Sequence, residues 1–102
     1  MPGYKVEVIV TGNASNVNVR VNGKEVVLAR TPQGGFGGVA RADINSKTVP
    51  LNMQATGVAS APVSLKVDFT PYEGGLATFY VQHLSIPANL LLVLDDEISL
   101  ED

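Results

Sequence analysis

Val17-Asn18-Val19-Arg20-Val21-Asn22-Gly23-Lys24-Glu25-Val26 carries the strongest structural signal in this chain. Valine alternates with polar residues at period two, the pattern of a strand with one face buried and one in water. The pair Asn22-Gly23 then interrupts it. Both central positions of a type I′ turn need positive φ, and Asn-Gly tolerates that best, so the stretch predicts a β-hairpin. Lys24 to Arg30 is the returning strand.

The same alternation recurs on either side. Tyr4, Val6, Val8 and Val10 alternate with Lys5, Glu7, Ile9 and Thr11. Val49, Leu51, Met53 and Ala55 alternate with Asn52, Gln54 and Thr56 further on, with Pro50 suggesting an edge position or a bulge. Val63, Leu65, Val67 and Phe69 alternate with Ser64, Lys66, Asp68 and Thr70, and Leu76 to Leu84 returns with Ala77, Phe79 and Val81 on one face. Val39 to Ile44 is a weaker strand. Thr31 to Gly38, with one proline and four glycines, is expected to be a loop. The segments Gly12 to Ser15, Asn45 to Lys47, Gly57 to Pro62, Pro71 to Gly75 and Ser85 to Asn89 carry turn chemistry.

These spacings predict an all-β, antiparallel β-sandwich of about seven to eight short strands, immunoglobulin-like or jelly-roll-like in kind. A length of 102 residues, 45% of them hydrophobic, suits one domain that folds without staples. Residues 1–94 are assigned to that domain and 95–102 to an acidic C-terminal tail. The tail holds five of the ten carboxylates (Asp95, Asp96, Glu97, Glu101, Asp102), which leaves the remainder slightly basic. The seven basic residues are scattered singly, so no nucleic-acid partner is expected. No apolar stretch approaches the roughly 18 residues of a membrane helix. The start Met1-Pro2-Gly3-Tyr4 enters a strand at once, so no signal peptide is expected.

Chemistry is sparse. The absence of cysteine removes disulfides, thiolate metal sites and a cysteine nucleophile together. Any Ser-His-Asp arrangement must be built on His83, the one histidine. Glu7, Glu25, Asp43, Asp68 and Glu73 read as solvated faces or loops, with no pair distinguished by spacing. Asp95-Asp96-Glu97 lacks the alternation and glycine of a calcium loop. Asn13-Ala14-Ser15 matches a glycosylation pattern by three residues only. No enzyme, metal or cofactor is expected.

Gly34-Gly35-Phe36-Gly37-Gly38 is the least ordinary feature. Phe36 either folds back to close one end of the sandwich or projects from a mobile loop as a recognition contact. On the second reading Gly35, Phe36 and Gly37 form a binding site with Tyr72 and Glu73, provided both loops share one end. The function expected is then a non-enzymatic binding module for a carbohydrate or a protein surface. The alternative is a structural subunit that forms a homo-oligomer. Its motive is the apolar run Leu90 to Leu94, suited to a strand buried on both faces or paired at an interface.

Overall fold

The computed structural model of the chain describes residues 3–100. Among the described residues nine strands and no helix follow one another: β1 (Gly3–Gly12), β2 (Ala14–Val21), β3 (Lys24–Val26), β4 (Ala29–Arg30), β5 (Phe36–Asp43), β6 (Thr48–Gly57), β7 (Pro62–Pro71), β8 (Thr78–Ser85) and β9 (Leu91–Ser99). They form two antiparallel sheets, ordered β4-β5-β1-β7-β8 and β3-β2-β6-β9. The chain is therefore an all-β sandwich. No helix among the described residues is long and apolar enough to cross a membrane.

The hairpin stands as read. Asn22 has φ 54° and Gly23 φ 80°, and β3 pairs back on β2 from Val19–Val26 to Val21–Lys24. The core is the inner phase of the four long alternations. Val6, Val8 and Val10 on β1 meet Val17, Val19 and Val21 on β2, with Leu51 and Met53 on β6 and Leu65, Val67 and Phe69 on β7. Stiff β-branched side chains suit such a pleated, half-buried surface, where little rotamer freedom is left to lose.

Four expectations need correction. Lys24 to Arg30 is not one returning strand: β3 stays in the second sheet, the chain turns a corner at Val27-Leu28, and β4 joins the first. Thr31 to Gly38 is a loop only as far as Gly35, because β5 begins at Phe36 and its glycines pair with Ile9 and Val8. The missing side chains serve close packing there. A Cβ on Gly38 would lie 2.2 Å from the Val27 carbonyl oxygen, and one on Gly35 2.3 Å from that of Val10.

Pro50 lies in β6, which has neighbours on both sides and is neither an edge nor a bulge. Its carbonyl accepts from the Asn22 amide at 2.9 Å, so its missing N–H points to the same side, just past the last β2 pair at Leu51. The ladder with β9 loses no bond to it. Asp95, Asp96 and Glu97, finally, are not tail: they pair with Asn52, Leu51 and Pro50 inside β9. Glu101 and Asp102 lie outside the described residues.

Candidate functional site

The residues expected to form one site stand at opposite ends of the first sheet. Phe36 pairs with Val10 and Arg30, whereas the Tyr72 amide donates to the Gly3 carbonyl at 3.0 Å. Gly3 and Val10 are seven residues apart on β1, which at ~3.4 Å per residue is roughly 24 Å. Phe36 is half-buried against the core, with the Arg30 guanidinium 4.8 Å over its ring. It packs against the core, and beside it Gly35 is buried and Gly37 half-buried. Tyr72 is exposed but carries Arg41 over its ring at 4.9 Å, and Glu73 stands in the exposed turn beside it.

Register brings together residues that spacing alone did not. Glu7 lies directly opposite Asp68 across β1 and β7. One oxygen of Asp68 is buried without a partner, and the other lies 3.7 Å from the Lys66 ammonium. Ser64 and His83 are likewise opposite each other, with Oγ and Nδ1 2.9 Å apart. That is within nucleophile–base reach, but the pair is exposed on a flat outer face, and no other described residue bonds to the histidine to orient it. Among the described residues no group of three or more His, Asp or Glu side chains converges on a cation position. In the acidic run the pleat sends Asp96 toward β8 and Asp95 and Glu97 to the outer face.

Two surfaces remain. The first is the outer face of the second sheet, where Arg20 lies opposite both Glu25 and Asn52, and Asn52 opposite Asp95. Asn52 donates its side-chain amide to the Asp95 carboxylate. A shallow cleft of about 560 Å³ runs over Arg20, Asn52, Asp95 and Glu97. It is wide enough for a small ligand but has no aromatic wall.

The second surface is the flank made by β8 and β9, the edge strands of the two sheets. The Tyr80 hydroxyl on β8 donates to Asp96 Oδ2 on β9 at 2.7 Å, tying the sheets together. Burial, then the bond to Asp96, pushes the phenol up to about 12. The same bond, with the Glu97 amide, holds the Asp96 carboxyl below its ordinary value. On the outer side of β8, Phe79 is 66% exposed and Val81 52%. The alternation of Ala77, Phe79 and Val81 was legible in the sequence, but their phase faces solvent. Leu90 to Leu94 is not buried on both faces either. Leu92 is buried while Leu91 and Val93 are exposed, and β9 has no strand on its far side among the described residues.

β8 differs from the other edges in chemistry. From Thr78 to Ser85 it contains no lysine, arginine, aspartate or glutamate. It is eight residues long, and among the described residues no strand pairs with the side turned away from β7. No protein-family model, curated protein or solved structure matches the chain.

Proposed function

We propose that the chain is a non-enzymatic interaction module whose partner is a protein strand added along the edge of β8. The observation that carries this reading is an uncharged eight-residue edge strand displaying Phe79 and Val81. An edge offers a row of backbone donors and acceptors, and natural sheets protect such edges with charges, bulges or brevity. An extended partner segment gains affinity from main-chain bonds and specificity from alternate side chains, here against Phe79 and Val81.

The test is selection from a random peptide library on the full chain. Enriched peptides are expected to alternate apolar residues, to perturb the backbone amide signals of residues 79–85, and to lose binding to Val81→Lys. No enrichment, or perturbations elsewhere, overturns the reading.

A second reading keeps a carbohydrate as ligand and moves it from the loops to the cleft over Arg20, Asn52, Asp95 and Glu97. The guanidinium and amide donors beside carboxylate acceptors suit the paired hydroxyls of a neutral sugar. A glycan array followed by Arg20→Ala and Asn52→Ala tests it. The expected result is a neutral glycan whose binding both variants abolish; an empty array contradicts it.

A further inference from the structure

We infer that the strand added to β8 is β8 of a second copy, giving a two-fold dimer in which the five-stranded sheets join into one of ten strands. This rests on the reading of β8 as a pairing edge and names the occupant. A two-fold contact places the same patch on both sides, so the patch must tolerate itself. Of the two long edges only β8 does so along its whole length.

Antiparallel pairing about an axis normal to the sheet sets residues i and j opposite each other with i + j constant. Side chains stay on their own faces only when that sum is even. The axis therefore passes midway between the two copies of a single residue. Centred on Val81 it sets Val81 against its own copy, Phe79 against His83 of the other copy, and Tyr80 against Gln82. Both exposed apolar side chains then gain a cross-strand neighbour on the same face, for the aromatic ring one of similar shape, and no charge meets a like charge.

β9 against itself fails that test. An axis at Asp96 would set Asp95 opposite Glu97 of the other copy and Asp96 opposite itself, and directly opposed like charges destabilise a strand pair. Axes nearer the apolar end spare the carboxylates only by shortening the ladder. β9 also shapes the expected dimer. An axis normal to the sheets keeps both copies' β9 strands on one side, so their Asp95-Asp96-Glu97 segments approach each other. Added salt screens that repulsion and strengthens the dimer, the opposite of an interface held by ion pairs.

Sedimentation velocity on the full chain from micromolar to millimolar concentration tests the inference. The wild type is expected to shift from monomer to dimer, at lower concentration in added salt, while Val81→Lys stays monomeric across the range with an unchanged circular dichroism spectrum. The control is a peptide of residues 78–85 flanked by lysines, titrated into the wild type and read by backbone amide shifts. If the chain stays monomeric but the peptide perturbs residues 79–85, the dimer is wrong and the pairing edge stands. If it stays monomeric and the peptide does nothing, both fall. If Val81→Lys dimerises as well as the wild type, the dimer uses another surface and the inference is overturned.

Discussion

The two flanks of the sandwich solve the same problem differently. On the β3/β4 side, the edge strands are three and two residues long. What they leave uncovered is blunted in other ways. β2 has a register irregularity between Ala14 and Asn16, and Arg30 donates to the Ser15 carbonyl there at 3.1 Å. β5 carries Arg41 and Asp43, 3.9 Å apart, and the Val27 carbonyl lies over Gly38. On the β8/β9 side, the edges are eight and nine residues long. β9 is guarded by three carboxylates, one of them pointing inward, and β8 by nothing comparable. Protection of this kind is the ordinary state of a sheet edge. This chain supplies it along one flank and on β9 and omits it on β8, and that omission is the basis of the proposed pairing edge.

The largest effect is expected on the closed flank. Gly38→Ala places a Cβ against the Val27 carbonyl, which must move, and overpacking of this sort costs about 3 kcal/mol. Urea denaturation is expected to show a lowered midpoint with an unchanged slope. A midpoint equal to the wild type's would mean that the corner at Val27-Leu28 is loose and the flank is not closed as described.

Tyr80→Phe sharpens the open flank. It removes the bond to Asp96, and the expected drop in Tm at neutral pH is smaller than that of Gly38→Ala. The pH dependence carries the sign. A carboxyl whose folded value is depressed contributes stability above its unfolded value and loses it as pH falls through the folded one. Here the ordinary value is 3.8 and the folded one lies below it. The gap between wild type and Tyr80→Phe should therefore be full at neutral pH and close as pH falls below 3.8. A gap constant with pH would show that Asp96 is not the partner that matters.

Phe79→Lys has the smallest effect on the fold. The side chain is exposed on the outer face, and such substitutions stay within about 0.5 kcal/mol of wild type. Thermal melts should superimpose at low concentration, where only monomer is present. A large loss of stability there would place Phe79 in the core and remove the contrast between the flanks.

The sandwich was legible because four of its long strands, β1, β2, β6 and β7, announce themselves through alternation. Val17 to Val21 and Val63 to Phe69 each bury one phase, and Asn22-Gly23 dictates the turn by its backbone alone. The site was not legible, for two physical reasons. Alternation gives the period of a strand but not which phase faces inward when both phases carry apolar residues, and β8 has Phe79 and Val81 on one and Tyr80 and Leu84 on the other. Sheet order is a long-range property. Nothing local in Thr78 to Ser85 says that β7 has one neighbour in β1 and a last one in β8, or that Phe36 and Tyr72 flank opposite ends of β1. The glycines around Phe36 resembled a mobile loop because the same residue serves free backbone and crowded backbone alike. The missing charge on β8 was visible all along, and became meaningful once the strand stood at an edge.

Amide hydrogen exchange of β8 as a function of protein concentration reads the proposed pairing edge itself. In a strand that pairs along its outer edge, alternate amides from Phe79 to Ser85 should gain protection as concentration rises, while those of β3, β4 and β9 do not. Exchange along β8 that is independent of concentration, with no protecting peptide partner from the library, would contradict it.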